Sequence, residues 1–131
     1  MSVLVDTNII SELARPRPSS AVTRWVSTLE TLTISVITID EVFFGLTFRP
    51  NVRVQRWMET FIEAHCRILE ITPPIARHAG ILRGQLAARG RPRTQADMLI
   101  AATAARHGLS LATRNERDFE DCGIFVMNPF T

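Results

Sequence analysis

Short apolar stretches alternate with amphipathic segments along this chain of 131 residues, and that alternation constrains the fold more than any other feature. The apolar stretches predict strands, and they lie at residues 2–5, 32–38, 67–72, 109–113 and 124–128. Strands that alternate with helices form mainly parallel sheets with helices on both faces. The sequence therefore predicts an α/β fold with a mainly parallel sheet of four to five strands.

Helix signals fill the intervals between these strands. Pro16 and Pro18 end the first predicted helix, and Gly90 ends a later one. Capping residues and apolar periodicity place the predicted helices at residues 8–14, 21–29, 38–46, 54–62, 74–89 and 95–107. Residues 114–123 are predicted to form a loop or a single helical turn.

The length is that of one ordinary domain, so we expect a single domain over residues 1–131. No apolar run approaches the ~20 residues of a membrane span, and the first residues lack the pattern of a signal peptide. Cys66 and Cys122 are far apart and form no CxxC pair, so neither a disulfide framework nor a zinc site is indicated. We expect a cytoplasmic protein without a membrane partner.

All fifteen basic residues are arginines, although the formal net charge is only +2. A coding preference for arginine explains this bias, and so does phosphate recognition, for which the planar guanidinium is well suited. Arg89, Arg91 and Arg93 cluster just before an acidic residue, which makes them candidates for phosphate contacts. A solvated charged surface is the other interpretation of this cluster.

Four acidic residues lie where the predicted strands end or where the predicted helices begin. They are Asp6, Glu41, Asp97 and Asp118. Because the carboxyl ends of parallel strands share one edge of a sheet, we expect all four side chains at that edge. Helix capping is the structural alternative: Thr38 and Glu41 have the spacing of a capping box, and Asn115 could cap a turn. Asp6 fits that alternative least, because Thr7 and Asn8 follow it as more natural caps.

A cluster of four carboxylates needs a counter charge. Two carboxylates ~5 Å apart repel by roughly 3 kcal/mol at an effective dielectric constant of ~20. Protonation would relieve part of this repulsion, and a hard divalent cation such as Mg²⁺ or Mn²⁺ would suit an oxygen-only ligand set. Such a cation commonly serves phosphate chemistry, which predicts hydrolysis of a nucleic acid. A small α/β protein with four capping acids and no metal is the competing interpretation.

Several motifs, in order and over nearly the whole length, resemble one known family. They are LVDTNIISEL, TIDEVFFG, QADMLIAATAARHGLSLATRNERDF and VMNPF. This ordered set is similar to PIN-domain proteins, and most of all to the VapC-type toxins of bacterial toxin–antitoxin pairs. The resemblance implies a PIN-like three-layer α/β/α fold and an Mg²⁺- or Mn²⁺-dependent endoribonuclease.

The resemblance also implies roles for individual residues. Asp6, Glu41 and Asp97 match the three core acids of the family, and either Asp118 or Asn115 completes the site, with Asp118 preferred. Asp6, Asp97 and Asp118 would hold the cation, while Glu41 would bind it through water or orient the attacking water. The residues expected to position the substrate are Asn8, Thr113, Asn115, Arg93 and Arg114, and Arg91 is a further candidate for contact with the RNA backbone.

The partners implied by the resemblance are an RNA substrate and a cognate VapB-like antitoxin, with DNA bound only through the antitoxin. An alternative function is that of a catalytically weak PIN protein that acts in a DNA-binding regulatory complex. The stripe from Val54 to Ile62, together with nearby Trp25, Phe43, Phe44 and Phe48, predicts core packing or an interface with the antitoxin or a second copy in a homodimer.

Overall fold

The computed structural model describes residues 2–131 and contains one sheet of five strands, all of them parallel. The strands are β1 (Val3–Val5), β2 (Leu32–Ser35), β3 (Cys66–Leu69), β4 (Ser110–Ala112) and β5 (Val126–Met127). Their order across the sheet is β3-β2-β1-β4-β5, so β1 lies in the centre. The predicted mainly parallel sheet is confirmed, and it has five strands, the larger of the two predicted numbers.

Six α-helices surround this sheet. They are α1 (Thr7–Leu13), α2 (Ser20–Val26), α3 (Val36–Phe48), α4 (Val52–His65), α5 (Pro73–Ala88) and α6 (Gln95–Arg106). A 3-10 turn (Glu116–Phe119) lies between β4 and β5, where the prediction was a loop or a single helical turn, so the second alternative is confirmed. Gly90 and Gly108 follow α5 and α6 with positive φ angles of 74° and 65°, as expected for glycines that end helices.

The hydrophobic core has two parts, one on each face of the sheet. Leu4 and Leu111 contribute to the part that packs beneath α5 and α6. Val5 and Ile34 point to the opposite face and pack against residues of α1 to α4. Because neighbouring residues of a strand face opposite sides, both faces of β1 are buried, which explains its uninterrupted apolar sequence. The predicted α/β/α three-layer architecture is confirmed.

The boundary between β2 and α3 differs from the prediction. The predicted strand continued to Thr38, but β2 ends at Ser35, whose hydroxyl caps α3 by accepting a hydrogen bond from the Ile37 N–H at 3.0 Å. Thr38 is therefore buried inside α3, and Glu41 lies beyond its first turn. The capping box predicted for Thr38 and Glu41 is wrong, because the β-branched residues Val36, Ile37 and Thr38 already belong to the first turn of the helix.

The apolar stripe predicted as core or interface divides between the two roles. Met58 and Ile62 are buried, and Trp25 and Phe43 pack partly buried against the same core. Phe44 and Phe48 instead remain 70% and 71% exposed, and their rings stack with centroids 6.0 Å apart. No helix among residues 2–131 combines the length and apolar character that crossing a membrane requires.

Candidate active site

Asp6 lies directly after the central strand and is only 4% exposed. Its Oδ1 accepts a hydrogen bond from the Thr7 N–H at 2.8 Å, so Asp6 is the N-cap of α1. The prediction that Thr7 and Asn8 are the more natural caps is wrong, because the helix already begins at Thr7. Burial raises the pKa of Asp6, while hydrogen bonds from Thr113, Thr7 and Asn8 oppose that rise.

Thr113 and Asn8 hold the second oxygen of Asp6. The Thr113 hydroxyl donates to Asp6 Oδ2 at 2.8 Å, and Asn8 Nδ2 lies 3.2 Å from the same oxygen. Asn8 also accepts the Arg114 N–H through its Oδ1 at 3.1 Å. The structure therefore brings together three of the predicted site residues, Asp6, Asn8 and Thr113, where the end of β1 lies beside the end of β4.

Asn115 joins this network through its backbone. Its N–H donates to Thr113 Oγ1 at 3.0 Å, whereas its side chain makes no capping hydrogen bond to the 3-10 turn. The cap predicted at Asn115 is therefore wrong. The residue remains exposed at the rim of the site.

Glu41 reaches the site from α3 and is held there by Thr7. The two side-chain oxygens, Thr7 Oγ1 and Glu41 Oε1, are 2.6 Å apart, and Thr7 Oγ1 lies 3.0 Å from Thr38 Oγ1. Thr7 therefore connects α1 to α3 and fixes a carboxylate of the site. Thr7 is the central residue of the DTN sequence, yet the sequence prediction includes only its neighbours Asp6 and Asn8 as site residues.

Asp97 occupies the first turn of α6, where Thr94 is the N-cap and accepts the Asp97 N–H at 3.1 Å. Burial raises the pKa of Asp97 to about 6, and the negative charge of Asp6 adds to this rise. Asp118 and Glu41 raise the pKa further, against a lowering hydrogen bond from Thr94. Asp97 therefore lies close enough to the other three predicted acids for all of their charges to raise its pKa.

Asp118 is the outermost of these acids. It lies exposed in the 3-10 turn, and its backbone carbonyl accepts a hydrogen bond from Arg93 Nη1 at 2.8 Å. Arg93 also donates to the Glu120 carbonyl at 3.2 Å, and Arg91 forms an ion pair with Asp121. The arginines before α6 therefore bind the segment that carries Asp118.

An open cavity of about 430 Å³ joins three of the acids. Asp6, Glu41 and Asp97 line it, whereas Asp118 and Arg93 do not. The remaining lining residues are Thr7, Asn8, Ser11, Glu12, Arg15, Arg114 and Asn115. Ser11, Glu12 and Arg15 were not predicted. Ser11 and Glu12 follow Thr7 and Asn8 by four positions along α1, a spacing that could have indicated them, whereas Arg15 lies just beyond the end of α1.

The donor set suits a hard cation, because every acid in the cavity offers carboxylate oxygen. Asp6 and Asp97 both have raised pKa values, which a bound cation would oppose. Within residues 2–131, no three or more His, Cys, Asp or Glu side chains form a group that could hold a metal ion between them. Mg²⁺ commonly binds through only one or two carboxylates and retains several waters, and Asp6 and Asp97 fit that smaller ligand set.

The arrangement of a central parallel strand ending in a buried aspartate, with carboxylates from α3 and α6 around one cavity, defines a class of protein. Residues 3–124 match the PIN domain family, and the chain belongs to that family.

More closely, the chain is similar to "VapC ribonuclease Y4jK" of Sinorhizobium fredii, with 34% identity over 98% of this chain and 97% of that protein. A DNA-bound VapBC structure from Salmonella typhimurium superposes with a TM-score of 0.84 at 28% identity, over 98% of each chain. A toxin–antitoxin complex from Klebsiella pneumoniae superposes with a TM-score of 0.76 at 29% identity, again over 98% of each chain.

Proposed function

We propose that this protein is a divalent-metal-dependent endoribonuclease and the toxin of a toxin–antitoxin pair, with residues 1–131 acting as one PIN domain. The observation that carries the proposal is the cavity in which β1, α3 and α6 bring Asp6, Glu41 and Asp97 together. The similarity to a protein named VapC ribonuclease over nearly the whole chain supports RNA as the substrate.

Asp6, Asp97 and Asp118 would hold Mg²⁺ or Mn²⁺. The cation would supply neutralisation of phosphate charge and activation of water. Asp6 is kept in a fixed position by Thr113, Asn8 and the Thr7 N–H, so it presents its carboxylate from a rigid strand end. Asp97 faces it from α6, and Asp118 would approach from the 3-10 turn.

Glu41 is the residue we assign to the attacking water. The Thr7 hydroxyl orients its carboxylate by a 2.6 Å hydrogen bond, which leaves the second carboxylate oxygen free to accept a proton or orient a water molecule. Arg114 lines the same cavity and would bind a phosphate of the RNA backbone. The roles of Asn8 and Thr113 are to hold Asp6 and the first residues after β4.

We also propose that a cognate antitoxin inhibits the enzyme. A second cavity of about 360 Å³ lies between α1, α3 and α4, and Ser11, Arg15 and Glu41 line both cavities. An antitoxin segment in this groove could direct an arginine or lysine into the acid cavity. The complexes formed by similar proteins support this partner, and DNA would bind through the antitoxin. The exposed pair Phe44 and Phe48 is a candidate surface for a homodimer.

The test is cleavage of total cellular RNA by the purified, antitoxin-free protein, in Mg²⁺ or Mn²⁺ and in EDTA. We expect discrete cuts that require the metal and that fall at least a hundredfold in Asp6→Asn and in Asp97→Asn, since each change removes a charged ligand. Asp40→Asn is the control, because Asp40 is an exposed acid of α3 that does not line the cavity. No cutting by a folded, metal-binding parent protein would favour the regulatory binding role instead.

A further inference from the structure

Arg114 is unusual among the residues around the acid cavity. The other arginine that lines it, Arg15, forms an ion pair with Glu12 at 3.4 Å. The Arg114 guanidinium forms neither an ion pair nor a hydrogen bond with any residue of the 2–131 range, although four carboxylates, those of Asp6, Glu12, Glu41 and Asp97, line the same cavity. The guanidinium contacts an aromatic ring instead.

Phe130 provides that contact. The guanidinium carbon of Arg114 lies 4.7 Å from the centroid of the Phe130 ring, a cation–π arrangement. Phe130 is itself partly buried and packs against the core part between the sheet and helices α1 to α4, which restricts the motion of the ring. The contact leaves every guanidinium N–H without a protein acceptor.

The backbone brings the two side chains together at the carboxyl edge of the sheet. The Thr113 N–H donates to the Met127 carbonyl at 2.9 Å, which places the residues after β4 beside those after β5. Asn128 then accepts the Phe130 N–H through its side-chain Oδ1 at 2.9 Å and fixes the turn. Buried Pro129 lies within this turn and restricts it further.

We propose that Phe130 is a positioning residue that holds Arg114 in the cavity as the binding site for an RNA phosphate. This inference rests on the proposed ribonuclease function and extends it to a residue outside the 3–124 range that matches the PIN domain family. Without the ring, the flexible Arg114 side chain would turn toward Asp97 or Glu41 and pair with a carboxylate. The ring therefore keeps both charges available, the guanidinium for phosphate and the carboxylates for the cation.

The experiment measures the affinity for a short RNA and its cleavage kinetics in full-length variants. Phe130→Leu removes the ring but keeps an apolar side chain, Phe130→Trp keeps an aromatic face, and Arg114→Ala removes the cation. Binding is measured in EDTA, where metal-dependent cleavage stops and Asp97 is retained, and kcat and KM are measured with Mg²⁺. Melting temperatures establish that each variant is folded.

We expect Phe130→Leu to weaken RNA binding and raise KM about two- to fivefold, with kcat nearly unchanged, as the loss of one exposed cation–π contact implies. Phe130→Trp should keep the parent affinity. In an Arg114→Ala protein, adding Phe130→Leu should cause no further loss, because the ring acts only through Arg114.

Equal losses from Phe130→Leu with and without Arg114 would overturn the inference, as would a Phe130→Leu protein with unchanged affinity. The proposed function fails separately, if the folded parent protein does not cut RNA in the presence of metal. Weaker RNA binding by Phe130→Leu that depends on Arg114 would still support the inference in that case.

Discussion

Asp97 is the residue at which the electrostatics of the site are concentrated. Its pKa of about 6 results first from burial and then from the charge of Asp6, with smaller contributions from Asp118 and Glu41. Because the folded protein binds the Asp97 proton more tightly than the unfolded chain does, ionised Asp97 lowers the stability of the metal-free protein. This loss is full above pH 6 and disappears as the pH falls toward 4.

Asp97→Asn should therefore stabilise the protein in EDTA at pH 8. We expect an increase in the free energy of unfolding of about 1 kcal/mol, a value reduced for the partial solvent exposure of Asp97. This gain in the free energy of unfolding should fade between pH 6 and pH 4, where Asp97 of the parent protein becomes protonated. Urea denaturation at pH 4, 6 and 8 measures it, with Asp40→Asn as the control. A gain of the same size at all three pH values would show that ionisation is not its cause.

The sequence predicts a site residue when its role depends on neighbouring positions, such as the end of a strand or the start of a helix. Asp6 and Asp97 follow from strand ends and helix starts, and the structure brings their charges together. The roles of Thr7 and Phe130 depend on partners 34 and 16 positions away, Glu41 and Arg114 respectively, that only the fold places beside them. Side-chain pairs between distant elements give no periodic signal, so sequence reasoning did not find them.

At the scale of single elements, every predicted strand and helix is present, and the errors lie at their ends. Residues 36–38 look like a continued strand because they are β-branched, yet Ser35 caps a helix there. Tertiary packing of Thr38 inside α3 overrides this weak local preference. The boundary matters for function, since it places Glu41 in the second turn of α3, within reach of Thr7.

Arg93 joins the loop before α6 to the 3-10 turn. Arg93→Ala should remove the hydrogen bonds to the Asp118 and Glu120 carbonyls and loosen residues 116–121. We expect amide hydrogen exchange there to accelerate severalfold while α4 is unchanged. Arg89→Ala is the matched control, because the exposed Arg89 side chain makes no hydrogen bond within residues 2–131.

The same variant separates this structural role from the predicted phosphate contact. If Arg93 acts only on its own chain, the dependence of RNA affinity on salt should keep its slope in Arg93→Ala. Loss of a single phosphate contact from single-stranded RNA would lower that slope by about 0.7. A lower slope of RNA affinity against salt, with unchanged hydrogen exchange, would instead indicate that Arg93 contacts an RNA phosphate.

The whole molecule carries an uneven charge. Fifteen arginines and thirteen acids give a net charge of only +2, and several of the acids lie at the carboxyl edge of the sheet. The remaining surface is therefore more basic than the net charge suggests, which favours the approach of RNA. At the acid edge itself the proposed cation would offset the repulsion between the carboxylates and phosphate.

Cation binding should accordingly stabilise the folded protein as a whole. At Mn²⁺ concentrations ten times the dissociation constant, we expect about 1.4 kcal/mol of stabilisation, or a rise of roughly 5 °C in the melting temperature. The rise should be much smaller in Asp97→Asn and unchanged in Asp40→Asn. Calorimetry with Mn²⁺ and with EDTA measures it. Equal rises in the parent and Asp97→Asn would place the bound cation elsewhere.

The hydrogen bond between Asp6 and Thr113 joins residues 107 positions apart, across the pairing of β1 with β4. Contacts of such sequence separation form slowly, since a long loop must close first. During synthesis, Asp6 leaves the ribosome long before Thr113, Asn128 and Phe130 exist. A growing chain therefore lacks the assembled acid site. We expect the RNA-cleaving activity proposed for this site to appear only after β4 and β5 have joined the sheet.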